Sequence, residues 1–249
     1  LGLNGPDEQI LNKLIKQPFG MILLTGPTGS GKTTTLYTCL NKIKSDVSKI
    51  ISLEDPIEYE IPGITQIQIH PKIGLDFASG LRSVLRHDPD IMMVGEIRDL
   101  ETAQIAVRAA LTGHLIFSTL HTNDAVSGVA RLLDIGIKPF MVTSSVQAII
   151  AQRLVRVLCE HCKEPNHAES EAIKLQIMKD CQLNSLTDVV TWVGRGCVEC
   201  NQTGYYGRTA IHEILLLTEA LKEMILANQS IHTIKDKAID EGMRTLMYA

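Results

Sequence analysis

Short apolar runs alternate with amphipathic stretches along the first part of the chain. Met21 to Thr25 reads as a strand that ends at Gly26, and Leu36, Leu40 and Ile43 then recur at helical spacing. Ile50 to Leu53, Ile91 to Val94 and Leu115 to Thr119 are further apolar runs. Apolar runs separated by helices predict an α/β core: a mostly parallel sheet covered on both faces. Thr65, Ile67 and Ile69 alternate with Gln66, Gln68 and His70, which predicts a half-exposed strand in an antiparallel hairpin flanking that sheet. Asp99 is placed to cap a helix whose apolar stripe is Ile105, Ala106, Ala109 and Ala110.

The pattern changes after about residue 157. A cysteine-bracketed stretch with an amphipathic segment inside it runs to about residue 204, and from Ile211 onward the chain reads as helical. Ser230 caps a run with Ile231, Ile234, Ala238 and Ile239 on one face, and Gly242 closes it. The expected division is residues 1–157 as the α/β core, 158–204 as a metal module and 205–249 as a helical end. No internal repeat or low-complexity tract interrupts this division.

Composition narrows the function classes. The chain has 249 residues, 45% hydrophobic and 21% charged, enough for a substantial core. Lys and Arg total 24 against 28 Asp and Glu, a formal charge of −4, which argues against a nucleic-acid binder that neutralises many phosphates. No apolar run reaches the roughly 18–20 residues that span a bilayer, and no secretory signal pattern opens the chain. A cytoplasmic location is therefore expected. The chain opens Leu1-Gly2-Leu3 without an initiator Met, so a portion of a longer protein is expected.

The chemistry begins at Gly26-Pro27-Thr28-Gly29-Ser30-Gly31-Lys32-Thr33-Thr34. The first eight residues match G-x-x-x-x-G-K-[ST], between a predicted strand and a predicted helix. Glycines let backbone N–H groups converge on phosphate oxygens, and the helix N-terminus adds partial positive charge. Lys32 reaches the β- and γ-phosphates and the Thr33 hydroxyl ligates Mg²⁺. Glu96 ends the Ile91–Val94 run, where a carboxylate at a strand's C-terminal edge can order Mg²⁺ through water or act as a base. Glu54, Asp55 and Glu58 follow the second run and suit the same tasks. Arg82 and Arg86 lie four apart, and Arg98 and Arg108 follow Glu96. Arginines near phosphates supply transition-state charge, in cis or from a neighbouring subunit. His121, just beyond the fourth run, is placed to hydrogen-bond a γ-phosphate, whereas His114 reads as structural.

Cys159 and Cys162, then 34 residues, then Cys197 and Cys200 form two C-x-x-C pairs. Without a secretory signal such pairs read as metal ligands rather than disulfides. Four thiolates close a tetrahedral Zn²⁺ shell, so the site is expected to be structural, with a folded insert between the pairs.

In order, these motifs resemble the type II secretion and type IV pilus assembly ATPases of the GspE/PilB type, over essentially the whole chain. Glu54 to Glu58 is similar to the family's Asp box, Gly95-Glu96 to its atypical Walker B, and Thr112-Gly113-His114 through His121 to its His box. The cysteine pairs and Gly204-Tyr205-Tyr206-Gly207-Arg208 follow. The resemblance implies a RecA-like core that works as a ring, usually a hexamer. It implies Mg-dependent ATP hydrolysis that drives an inner-membrane platform protein, with a cytoplasmic docking protein as second partner and membrane association only through partners. Residue by residue, it implies Glu58 as general base with Glu54 as the alternative, and Glu96 as orienting Mg²⁺. It implies phosphate-contacting or interface roles for Arg82, Arg86, Arg98 and Arg108, and γ-phosphate sensing by His121. Retraction motors of the same superfamily generally lack the cysteine pairs, which favours an extension or secretion motor. Against that resemblance a fragment is expected, without the family's N-terminal domains and stopping at Met247-Tyr248-Ala249 short of its usual end. The alternatives are a related transport ATPase for DNA uptake or conjugation, and a zinc-containing nucleic-acid module. The cysteine pairs argue against conjugation, and the negative charge with 4% aromatic residues argues against the nucleic-acid module.

Overall fold

The computed structural model describes residues 2–3, 5–181 and 183–248. The chain-end positions Leu1 and Ala249 lie outside the described residues. Helix α1 (Pro6–Leu14) leads into β1 (Gly20–Thr25), α2 (Lys32–Ile43), β2 (Ile50–Glu54) and β3 (Thr65–Gln68). Then come α3 (Phe77–Val84), β4 (Ile91–Val94), α4 (Leu100–Leu111), β5 (Leu115–Leu120), α5 (Ala125–Ile135) and α6 (Pro139–Ser145). The long β6 (Val146–Leu158) precedes the small elements β7 (Lys163–Pro165), α7 (Glu171–Asp180) and β8 (Trp192–Gly194). The long β9 (Tyr205–Leu216), α8 (Glu219–Leu226) and α9 (Ile231–Asp240) complete the order.

One seven-stranded sheet runs β3-β2-β4-β5-β1-β6-β9. All neighbours pair in parallel except β9, which runs antiparallel to β6. The predicted strand runs around 21–25, 50–53, 91–94 and 115–119 are its centre, and β1, β2, β4 and β5 are buried along their whole length. Burial on both faces explains why they read as continuous apolar runs. One face packs residues such as Met21, Leu23, Leu53 and Val94 against α3, α4 and α5. The other packs Ile22, Leu24 and Met93 against Leu36, Tyr37 and Leu40 of α2. No helix among the described residues is long and apolar enough to cross a membrane.

Two local expectations differ from the structure. The 65–69 run is not in an antiparallel hairpin: β3 pairs in parallel with β2, Ile51 opposite Thr65. The connection 55–64 is long enough to retrace the strand, and Gln66 pins it by accepting from the Ile61 N–H and donating to the Tyr59 carbonyl. The chain is also not helical from Ile211. Residues 205–216 form β9, and the helical region begins at Glu219. Ile211, Ile214 and Leu215 fall at i, i+3 and i+4, a helical spacing, but pairing with β6 from Ala148 to Leu158 overrides it. The caps behave as read: Asp99 and Ser230 accept from the N–H groups of Thr102 and Thr233.

Candidate active site and cysteine cluster

The parallel strands deliver their C-terminal ends to one edge of the sheet. There a cavity of about 720 Å³ is lined by Ser30, Lys32, Thr33, Glu58, Glu96 and His121, among others. Its floor is the loop between β1 and α2. Gly26 and Gly31 have positive φ, and a Cβ on either would meet β6 within 3 Å. The Lys32 ammonium donates to the carbonyls of Gly26 at 2.8 Å and Pro27 at 3.0 Å. Burial lowers its pKa and the Arg153 charge lowers it further, against the opposing pull of Glu96. Thr33 is half-buried, Thr34 is exposed and the buried Ser30 Oγ has no partner among the described residues. The loop is tied to its neighbours from β1 onward: Thr25 Oγ1 bonds the Thr122 carbonyl at 3.0 Å and accepts from the Thr122 N–H at 2.8 Å.

Glu96 stands on a rigid ledge. The Gly95 N–H donates to Leu53, while the Ser118 and Thr119 hydroxyls donate to the carbonyls of Val94 and Gly95. Its carboxylate is buried. Oε1 takes Arg98 at 2.5 Å, and Oε2 lies 3.4 Å from His121 Nε2 without a well-formed hydrogen bond. His114 bonds the Ala109 carbonyl through Nδ1, a local tie at the end of α4.

Glu54 and Glu58 are treated very differently. Glu54 is 2% exposed and accepts from Ser52 Oγ at 2.5 Å, from Gln66 Nε2 at 3.0 Å and from the Tyr37 hydroxyl. Burial and the Glu54 charge keep the Tyr37 phenol protonated well beyond its ordinary range, so it remains a donor. Glu58 is exposed at the cavity, held only through its backbone N–H, which donates to Tyr37 Oη at 3.3 Å. Its carboxylate has no polar partner among the described residues. Tyr59 packs edge-on against Tyr37, with ring centroids 4.6 Å apart.

The arginines separate. Arg98 lines the cavity, but Arg82, Arg86 and Arg108 do not. Arg82 pairs with Glu101 at 2.6 Å, and Arg86 donates to the Arg82 carbonyl and Ser83 Oγ. Sequence reasoning assigned no role to Tyr37, Gln152, Leu154 or Arg208, all of which touch this site from other elements. Arg208 stands in the Gly204-Tyr205-Tyr206-Gly207-Arg208 motif, without a role; no local spacing flags the other three. All four arrive through α2 and the β6–β9 pair.

The second cluster lies where β6 ends and β9 begins. The four sulfurs of Cys159, Cys162, Cys197 and Cys200 lie within 4.8 Å of one another. Three of the S···S separations are 3.7 to 3.8 Å. A disulfide would need about 2.05 Å. Zn–S bonds of about 2.3 Å in a tetrahedron give edges of about 3.8 Å, so the donor set and its spacing fit Zn²⁺. Burial raises the Cys162 thiol to about 11. Burial acts the same way on Cys200, but N–H donors from Cys197 and Gly204, each 3.2 Å from its sulfur, outweigh it and bring that thiol to about 6.

The chain is similar to known secretion and pilus ATPases. The family model described as "Type II/IV secretion system protein" matches residues 1–249. The chain is 53% identical over 225 residues to the type II secretion system ATPase E of Vibrio cholerae, covering 90% of this chain and 44% of that one. It is 47% identical over 248 residues to the type IV pilus assembly ATPase PilB of Myxococcus xanthus, covering 99% of this chain and 43% of that one. The chain thus spans less than half the length of these relatives. Among solved structures, the pilus retraction motor PilT with bound ADP superposes with TM-score 0.64 at 30% identity, over 98% of this chain and 57% of that one. The Legionella pneumophila ATPase DotB superposes with TM-score 0.66 at 25% identity, over 98% of this chain and 57% of that one.

Proposed function

The chain belongs to the type II/IV secretion system protein family, and we propose that it hydrolyses ATP with Mg²⁺. The work would be done within a ring motor, usually a hexamer, that adds pilin or pseudopilin subunits to a fibre at the inner membrane. The fold is the RecA-like α/β fold of its ATPase neighbours.

The observation that carries the reading is the polar pattern of the cavity. Ser30 Oγ and Glu96 Oε2 are buried without hydrogen-bond partners among the described residues, and the Lys32 ammonium turns back onto backbone carbonyls. Buried polar atoms seldom go unpaired in a native core. A phosphate chain with its cation satisfies all three groups.

Bound magnesium supplies charge neutralisation of the β- and γ-phosphates. Thr33 and Glu96 are the residues that would hold it. The 26–34 backbone orients the phosphates and Lys32 moves from its carbonyls to them. Glu58 takes the proton of the attacking water. The choice over Glu54 is energetic. Hydrogen bonds to a charged group contribute about 1.5–3 kcal/mol each, and freeing Glu54 would break three of them. Glu58 carries no such cost. His121, beside Glu96, reports the state of the γ-phosphate. Arg98 stabilises charge in cis. Arg82, Arg86 and Arg108, off the cavity, serve the site of a neighbouring protomer. The cysteine cluster holds structural Zn²⁺. Its partners would be an inner-membrane platform protein and a cytoplasmic docking protein, and the cysteine module favours extension or secretion over retraction.

ATP turnover per chain, with Mg²⁺, tests this as a function of protein concentration. A rate that climbs with concentration and vanishes in Lys32→Ala is the expected result. Absence of ATP binding in the unaltered chain would overturn the reading.

A further inference from the structure

Beneath the phosphate loop lies Gln152 of β6, a residue 2% exposed. Its amide is used at both ends. Nε2 donates to the Ser30 carbonyl at 2.8 Å, and Oε1 accepts from the Thr35 hydroxyl at 2.8 Å. The orientation follows from the partners: a carbonyl can only accept, so the nitrogen must face Ser30. One side chain thus joins the tip of the loop to the first turn of α2. The placement is set by the sheet, because β1 and β6 run in parallel with Thr25 opposite Ala151. One residue further on, Gln152 of β6 lies beside Gly26, the first residue after β1. The fit leaves no room: a Cβ on Gly26 would lie 2.5 Å from the Gln152 carbonyl oxygen, and one on Gly31 would lie 2.9 Å from Nε2.

The consequence is geometric. In a trans peptide the carbonyl oxygen and the following N–H point to opposite sides. Pinning the Ser30 carbonyl down onto Gln152 therefore turns the Gly31 N–H up, toward the cavity. We propose that Gln152 is a positioning residue for phosphate binding: it acts through the Ser30–Gly31 peptide and not by touching nucleotide. Thr35 is its second anchor. This rests on the nucleotide reading above, and it adds a residue from outside the loop motif that sets the loop's donor direction.

The test is calorimetric titration of ADP with Mg²⁺ into the unaltered chain and into Gln152→Leu, Gln152→Glu, Thr35→Val and Lys32→Ala. Calorimetry separates two effects. A merely structural defect lowers the fraction of chains that bind and leaves Kd alone, whereas a positioning defect raises Kd at unchanged stoichiometry. Loss of a buried hydrogen bond is expected to raise Kd about tenfold in Gln152→Leu. The rise should be larger in Gln152→Glu, which keeps the acceptor for Thr35 but turns an anion on the Ser30 carbonyl. It should be about threefold in Thr35→Val, and the Gln152→Leu, Thr35→Val double variant should bind no worse than Gln152→Leu alone. An unaltered Kd in Gln152→Leu overturns the proposal. Should that chain not fold, an unaltered Kd in Thr35→Val does so. If the unaltered chain binds ADP and Lys32→Ala does not, the nucleotide reading stands whatever Gln152 does. If the unaltered chain fails to bind, the nucleotide reading itself has failed.

Discussion

The phosphate loop and the cysteine cluster both converge on a point, but different forces hold them in shape. The loop sits on a sheet buried on both faces, and hydrogen bonds from Thr25, Gln152 and Tyr37 tie its surroundings together. The cysteine module has almost no core. None of the α7 side chains is buried, the β7–β8 pair is three residues long, and Trp192 remains 49% exposed. Ordering such a segment costs more conformational entropy than its apolar contacts return. On the proposed reading, one site is formed before its ligand binds and the other depends on a bound metal for its form.

The largest expected effect comes from removing that dependence. Structural zinc binding contributes about 10–16 kcal/mol, comparable to the whole stability of a domain. Chelation, or Cys200→Ser, should release the metal and open residues 159–204 to amide exchange. Residues 20–54 and 91–120 should stay protected and ADP binding should persist. Loss of protection at β1 after chelation would show that the two regions fold as one unit, and the contrast between them would be gone. Metal retained at one per chain in Cys159→Ser would refute the ligand assignment.

A kinetic experiment probes the preformed site next. Glu58→Gln should slow ATP turnover about 10²–10⁴-fold, the usual contribution of a general base, with nucleotide affinity kept. Glu54→Gln should act differently. It weakens the buried acceptor of Tyr37, Ser52 and Gln66 and should lower Tm. If Glu54→Gln alone abolishes turnover at unchanged Tm, the base is Glu54. Tyr37→Phe is a smaller version of the same test. It removes one donor from Glu54 and the acceptor of the Glu58 N–H, while the ring still packs against Tyr59. A loss of about 1–3 kcal/mol in stability is expected from denaturant unfolding, with turnover down about tenfold.

What could be read from sequence divides along the same line. The loop from Gly26 to Thr33 and the two C-x-x-C pairs are contiguous motifs whose chemistry is carried by local spacing. The central strands were legible because burial on both faces leaves an unbroken apolar run. Gln152, Tyr37 and the Thr25–Thr122 tie were invisible. Each acts across the sheet on a residue distant in the chain, and a lone polar residue in an apolar run gives no hint of its partner. The strand β9 was misread for a related reason. Its Glu213 is buried, with one oxygen taking the Ala125 N–H and the other the Leu246 N–H, a polar role that mimics the exposed face of a helix. The parallel pairing of β3 was hidden by its alternation, which two-sided burial usually removes but an edge strand retains.

The smallest effect tests whether the rim of the preformed site is also held by a network. Asp124, at the end of the loop that carries His121, caps α5 through the Ser127 N–H at 2.7 Å and pairs with Lys235 of α9 at 3.2 Å. Burial alone would raise its pKa, but the Ser127 bonds and the Lys235 ammonium outweigh this and leave it below the ordinary value. A carboxylate whose folded pKa lies below its unfolded pKa of about 3.9 adds stability above that value, and the gain disappears as pH falls through the folded pKa. Asp124→Asn keeps the cap, since Asn caps as well as Asp, and removes only the charge. The pair is partly exposed, so the difference in unfolding free energy at pH 7 should be about 0.2–1 kcal/mol. It should hold constant from pH 7 to 5 and shrink toward zero below about pH 4. If the difference persists undiminished at low pH, the charge is not what joins α9 to this loop.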